Sequence, residues 1–228
     1  EDCLHAGIWQ PQSQTCQCSG GRVGLRCERF AESCKELFQM GYPAGTRRPY
    51  FIQPPGLVSF LAYCANNSGE VRTDVFFHPA EGLLSFNRSF IDYVTGFYYN
   101  ISDYWIGLEK VYVFNTLTGL TNICLFIKFN ESGYFQFLFR GVTIGDASSD
   151  YSFNYTSVRY IESGALANNV TVSNCLPESG KATPFSAHDR DNDAELLENC
   201  AGNSGAGWWF STCEPDPVCN PLGVPIKP

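Results

Sequence analysis

The sequence is short of charge. Only 17% of its residues are Asp, Glu, Lys or Arg, against about 25% in a typical soluble domain. Lys and Arg number 15 against 23 acids, for a net charge of −8. That argues against a phosphate-backbone binder, which carries clustered cations. It fits a soluble protein, or one that meets cations or basic partners. Long apolar runs are also missing. The longest strongly apolar stretch is Ile123-Cys-Leu-Phe-Ile127, far below the roughly eighteen residues needed to cross a bilayer. No signal-peptide pattern opens the chain, and Glu1-Asp2-Cys3 reads as the start of a mature or excised fragment. Catalytic signatures are equally scarce. His5, His78 and His188 lack the Ser or Cys context of a triad. Gly202-Asn-Ser-Gly-Ala-Gly207 has neither a nucleophile elbow nor a phosphate loop. His188 beside Asp189 has no His or Cys partner at zinc spacing. A non-enzyme is expected.

What is present points outside the cell. The protein has 228 residues and eleven cysteines, many for a cytosolic protein and few for a knottin-like scaffold. Aromatic residues make up 15% and can supply a sizeable core. Six Asn-x-Ser/Thr sequons stand at Asn66, Asn87, Asn100, Asn130, Asn154 and Asn169. Each is a glycosylation acceptor in a secreted protein. The expected location is secreted, or the extracellular part of a cell-surface protein.

The first thirty residues read as a separate unit. Cys3, Trp9, Cys16-Gln-Cys18, Gly21, Gly24 and Cys27 resemble the second half of an EGF-like module. The module's first cysteine is absent, and Trp9 occupies the slot of its partner. The resemblance implies Cys3–Cys16 and Cys18–Cys27 as the remaining bridges. Trp9 is expected to pack where sulfur would sit, because such modules have little other core.

The strongest signal lies near the C-terminus. Phe185, Ser186, Asp189, Asp191, Asn192, Asp193, then Asn199-Cys200-Ala201, then Gly207-Trp208-Trp209 and Cys213 resemble the signature of a fibrinogen-related domain. Weaker matches run upstream in order: Ser33-Cys34, Tyr63-Cys64, the Phe86-to-Phe97 stretch with Arg88, Tyr93 and Gly96, and Tyr104-Trp105-Ile106-Gly107-Leu108-Glu109. The sequence departs from the pattern after Cys64 and after Cys213, and has one extra residue between Asp193 and Cys200. It reads as a divergent member. The implied fold is α+β: a fibrinogen C-terminal-like domain with a central antiparallel sheet, short helices and a loop-rich calcium-binding end. The expected domains are 1–30, EGF-like, and 31–228, fibrinogen-related. The second divides into 31–65, 66–175 (the sheet) and 176–228 (calcium and ligand).

Periodicity agrees. Residues 87–96 and 106–115 carry helix-compatible spacing. Residues 123–129 and 134–139 are β-branched and aromatic runs around Asn130-Glu-Ser-Gly133, a hairpin signal. From residue 177 onward Pro, Gly, Asp and Asn dominate, so outside help from a disulfide and a cation is expected.

Asp189-Arg-Asp191-Asn-Asp193 sets three carboxylates at every second position. In a loop this can aim several hard oxygens at one Ca²⁺, and the ion would relieve their mutual repulsion. The run fails as an EF-hand, with Ala194 at position 6 and Cys200 at position 12. The resemblance implies Asp191 and Asp193 as side-chain ligands. Backbone carbonyls in 195–198, here Glu195 and Leu197, complete the coordination, and Asp189 stands behind the ligands or reaches the ion through a water. It also implies a ligand pocket beside that loop, walled by Ser204, Trp209, Phe210, Thr212, Cys213 and Glu214, with a cis Thr212–Cys213 bond. Glu214 stands where the family has His. A carboxylate donates no hydrogen bond at neutral pH, so acetyl recognition is disfavoured. At least one of Trp208 and Trp209 is expected in the core.

The resemblance pairs Cys34–Cys64 and Cys200–Cys213. Cys124 and Cys175 are expected to pair, which leaves Cys219 odd and open to an intermolecular bridge; Cys175–Cys219 is the alternative. Two functions follow. One is extracellular binding of a protein receptor or cell-surface partner with a structural Ca²⁺. The other is a Ca²⁺-dependent lectin for glycans or acetylated groups.

Overall fold

A computed structural model describes residues 2–67, 69–79, 82–100, 102–119, 121–130, 133–163 and 177–213. The protein divides into two compact units, Glu1–Val75 and Phe76–Pro228. Strand pairing in the first unit continues to Thr73.

The first unit opens with the hairpin β1 (Ile8–Gln10) and β2 (Thr15–Gln17), which sets Trp9 opposite Cys16. The pair β3 (Arg22–Val23) and β4 (Arg29–Phe30) follows. Cys3–Cys16 and Cys18–Cys27 are bonded as expected. Helix α1 (Cys34–Gln39) starts at Ser33, whose hydroxyl accepts the Glu36 N–H and so satisfies one orphan donor of the first turn. β5 (Gly45–Ile52), β6 (Phe60–Asn67) and β7 (Glu70–Thr73) form an antiparallel sheet in that order. Cys34–Cys64 ties α1 to β6.

The second unit holds the aromatic core. β8 (Phe76–Phe77) leads to α2 (Phe90–Thr95), β9 (Phe97–Asn100) and β10 (Asp103–Trp105), and β10 lies between the other two strands. α2 begins at Ser89 rather than at residue 87, because Ser89 and Asp92 form a reciprocal capping box. α3 (Leu108–Leu117) starts two residues later than the spacing suggested. Its preceding Gly107 has φ +113, and a Cβ there would meet the Val94 and Thr95 carbonyls at 2.8 Å, so only glycine fits. β11 (Asn122–Asn130) and β12 (Gly133–Arg140) form the expected hairpin. Two short strands, β13 (Thr143–Ile144) and β14 (Phe153–Asn154), pair around a 3-10 turn, Ala147–Ser149. β15 (Ser157–Ser163) then adds to the free side of β12. The last described helix is α4 (Cys200–Ser204).

Strand alternation corrects one disulfide. Leu125, Phe137 and Phe139 are buried, so the residue next to Leu125 faces the other way. Cys124 is therefore exposed and unpaired, and its sulfur accepts a hydrogen bond from the Gln136 amide at 3.2 Å. The expected Cys124–Cys175 bridge is absent. Cys175 and Cys219 lie outside the described residues.

Tyr93 organises the core. Its ring packs on Phe185 (centroids 4.9 Å), Phe97 (5.1 Å) and Trp105 (5.5 Å). Its hydroxyl donates to the Phe86 carbonyl at 2.6 Å and accepts the Gly207 N–H at 2.8 Å. Burial pushes its pKa far up, which keeps the hydroxyl protonated as that donor. No described helix is long and apolar enough to cross a membrane.

Candidate metal and recognition site

The acidic loop is held by the core behind it. Phe185 and Ser186 are fully buried. Ser186 exchanges two backbone hydrogen bonds with Trp208 (3.0 and 3.1 Å), and the Asn192 amide donates to the Phe185 carbonyl at 2.8 Å. The Ser186 hydroxyl accepts the Asn192 N–H. Between these anchors, Ala187 and Arg190 close a tight turn with two 3.0 Å bonds. Ser186 and Asn192, which the sequence signature marked, thus shape the loop.

The three acids do different work. Asp189 accepts the Phe90 N–H at 2.7 Å, an orphan donor at the start of α2, so this carboxylate serves the helix. Arg190 pairs with Asp150 at 2.6 Å and lies over the Phe90 ring at 4.4 Å. Asp191 is exposed, and its Oδ1 takes a long contact of 3.4 Å from the Asp193 N–H. Asp193 is half-buried and brackets the next loop, accepting the Glu195 N–H on Oδ1 and the Cys200 N–H on Oδ2, both at 2.9 Å.

Burial first, and the neighbouring Asp191 carboxylate after it, push the Asp193 carboxyl above its ordinary pKa; its two backbone donors pull the other way. Two carboxylates this close, one of them half-buried, are a donor set that suits a hard divalent cation. The Asp193 carboxylate also lies within 4.8 Å of the Cys200 and Cys213 sulfurs. Those sulfurs are bonded to each other at 2.03 Å, so they are not thiolates and cannot act as soft ligands.

The residues expected to wall a ligand pocket are only partly among the described ones. Trp209 is 6% exposed. It packs on Phe185, Phe153 and Trp105, and its Nε1–H donates to the Tyr151 carbonyl at 2.8 Å. It is the core member of the tryptophan pair, while Trp208 is half-buried against the cluster of Cys200, Ala201 and Phe210. Phe210 is buried there, and the Ser204 hydroxyl donates back to the Cys200 carbonyl at 2.6 Å. The Thr212–Cys213 bond is trans, not cis as the resemblance implied. The Thr212 hydroxyl is buried without a partner among the described residues. Glu214 lies outside the described residues.

Among the sequons, Asn87 and Asn100 are exposed and Asn66 and Asn154 half-buried; the Asn130 side chain and Asn169 fall outside the described part of the structure.

Sequence reasoning missed three features. A cleft of about 390 Å³ opens where Phe90, Ile91 and Val94 of α2 face Ala147, Tyr151 and Arg190. Asp103, 2% exposed, accepts from His78 and from the Leu84 N–H, both at 2.8 Å, which gives His78 a structural partner and no nucleophile. Leu196 and Leu197 project into solvent at 98% and 97% exposure. The leucine pair was visible in the sequence, but nothing local says which way it points.

Comparison with known proteins places this arrangement. A family model described as the C-terminal globular domain of fibrinogen beta and gamma chains matches residues 30–223. The fibrinogen alpha chain of Mus musculus is 25% identical over 209 residues, covering 89% of this protein and 26% of the relative. Fibrinogen-like protein A of Apostichopus parvimensis is 28% identical over 206 residues, covering 83% and 67%. Fibrinogen-like protein 1 of Homo sapiens is 28% identical over 196 residues, covering 84% and 61%. The match thus spans about a quarter to two thirds of the length of these relatives. The fibrinogen-like globe domain of human ANGPTL2 superposes with TM-score 0.63 at 21% identity, over 79% of this protein and 77% of that one. A lamprey fibrin D-dimer, solved with the peptide Gly-His-Arg-Pro-amide, gives 0.63 at 22%, over 87% and 63%. These two likenesses show the fold: antiparallel sheets, few helices and disulfides.

Proposed function

The protein belongs to the family typified by the C-terminal globular domain of fibrinogen beta and gamma chains, and on that premise we propose that it is an extracellular recognition domain that binds a protein receptor or cell-surface partner. The family is one of non-enzymatic binding domains, and this protein is one of them. Four disulfides among the described residues support an oxidising compartment. The two N-terminal bridges and the Trp9–Cys16 pairing support a reduced EGF-like arm.

The observation that favours a protein partner over a glycan is the burial of Trp209 and Phe210. Rings packed this far into the core offer little surface to a small ligand. Ca²⁺ in this reading is structural. Asp191 and Asp193 would hold it with loop carbonyls of Glu195 and Leu197, and Asp189 would stay with α2. The ion would offset the acidic charge of the loop.

A glycan array read with and without Ca²⁺, beside binding to intact and protease-treated cells, tests the reading. Cell binding abolished by protease, with no glycan signal, is expected. Ca²⁺-dependent binding to defined sugars would overturn it in favour of a lectin.

A further inference from the structure

We propose that the Leu196–Leu197 tip is the contact element for a protein partner, which receives both leucines in an apolar socket bordered by Lys or Arg. This rests on the protein-partner reading above and adds where, and with what chemistry, the contact is made.

Scattered apolar side chains are normal on a surface. Two adjacent leucines at 98% and 97% exposure are a different case, because they leave two large apolar side chains in water at one loop tip. Its base is fixed. A single carboxylate, Asp193, receives the N–H groups of Glu195 and Cys200 at 2.9 Å on either side of the tip. The Asn203 amide donates to Glu198 at 3.3 Å, and the Asn199 amide to the His188 carbonyl at 3.3 Å. The Cys200–Cys213 disulfide anchors the segment where α4 begins. A loop already held in shape loses little freedom on docking.

The charge around the tip selects the partner. Between residues 188 and 200 stand five carboxylates and one arginine, and that arginine is paired with Asp150. Even with a divalent cation in the loop, the surroundings remain acidic. An anionic membrane and a second copy of this acidic protein are both repelled, whereas a basic rim is attracted. No sequon falls between residues 177 and 213, so no N-linked glycan is attached to this segment.

The test uses the full 228-residue protein and its Leu196→Ser/Leu197→Ser variant, which keeps every backbone carbonyl of the loop. The probes are a synthetic amphipathic Leu/Lys helix, a Leu/Glu helix of the same pattern, and phosphatidylcholine vesicles with and without phosphatidylserine. The wild type is expected to bind the Leu/Lys helix at least about tenfold more tightly than the Leu/Glu helix, a preference set by charge complementarity. The variant is expected to lose that binding by about tenfold or more with an unchanged melting temperature, as for an apolar hot spot. Equal binding by wild type and variant, or no preference for Leu/Lys, overturns the proposal. So does vesicle binding, or self-association in sedimentation, that the variant abolishes. Protease-sensitive cell binding that the variant retains sinks this inference and leaves the protein-partner reading standing; the absence of any protease-sensitive binding sinks that reading instead.

Discussion

Asp189 accepts the backbone N–H of Phe90 at 2.7 Å across a sequence separation of 99 residues. The bond joins the acidic loop to the first turn of α2 and occupies one oxygen of the first of the three acids. Removing it as Asp189→Ala is expected to cost about 0.5–2 kcal/mol, the usual worth of a helix N-terminal acceptor. Asp189→Asn keeps an acceptor and is expected to melt close to wild type. Ca²⁺ affinity is expected to survive in both variants; a collapse of affinity in Asp189→Asn would make this residue a ligand.

Asp191 and Asp193 are separable by experiment. Asp191 takes a long contact of 3.4 Å from one backbone N–H, whereas Asp193 receives two N–H groups at 2.9 Å. In EDTA, Asp191→Ala is expected to melt like wild type and Asp193→Ala to melt lower. With Ca²⁺ at about a hundred times its Kd, wild type is expected to gain about 2.7 kcal/mol and neither variant to gain. Calorimetry without a Ca²⁺ heat in wild type refutes the site.

The Tyr93–Gly207 junction is the most sensitive point of the core. A Cβ at Gly207 would lie 2.8 Å from both the Phe185 and Tyr93 rings and 2.9 Å from the Ser186 carbonyl. Gly207→Ala is expected to destabilise by about 1–3 kcal/mol, the usual penalty of overpacking. Tyr93→Phe leaves the buried Gly207 N–H without an acceptor and is expected to cost about 1–3 kcal/mol. Wild-type denaturant midpoints for both would contradict the described packing.

The Arg29–Glu36 pair in the first unit gives a pH signature. The Arg29 guanidinium, with the Glu32 N–H adding to it, holds the Glu36 carboxyl below its ordinary range despite partial burial. The folded pKa therefore lies below the unfolded one. The associated stability is complete above about pH 4.3 and is lost as the pH falls through the lowered folded value. The contribution is modest, since Arg29 is well exposed. Glu36→Gln is expected to flatten the acid limb of a stability–pH profile; an unchanged slope in that acid limb argues against the pair.

Cys124 predicts a chemical result. Maleimide treatment of the native protein under non-reducing conditions, followed by peptide mapping, is expected to modify Cys124. Cys124→Ser removes that label and leaves the melting temperature within error, because the sulfur is exposed and, among the described residues, takes one hydrogen bond, from Gln136. An unlabelled Cys124 in the wild type refutes the free thiol.

Much of this was readable in the sequence wherever the cause is local. Helix-compatible spacing over residues 87–96 announces α2. The runs flanking Asn130-Glu-Ser-Gly133 announce β11 and β12. The resemblance to a fibrinogen-related domain, carried by Phe185 to Cys213, named the family that the comparison bears out. It also paired Cys34 with Cys64 and Cys200 with Cys213.

What tertiary structure alone decided depends on partners far away in sequence. Trp209 is a core residue because Trp105, Phe153 and Phe185 meet it, and no local pattern separates a pocket wall from a core ring. Cys124 is free because strand parity turns it to the face opposite Leu125 while its neighbours across the sheet come from β12. Leu196 and Leu197 stand in water because the Asp193 carboxylate closes the loop beneath them. Composition fixed an acidic, cysteine-rich protein with little charge to spare; packing over long sequence distances decided which of its acids hold the fold and which stand exposed.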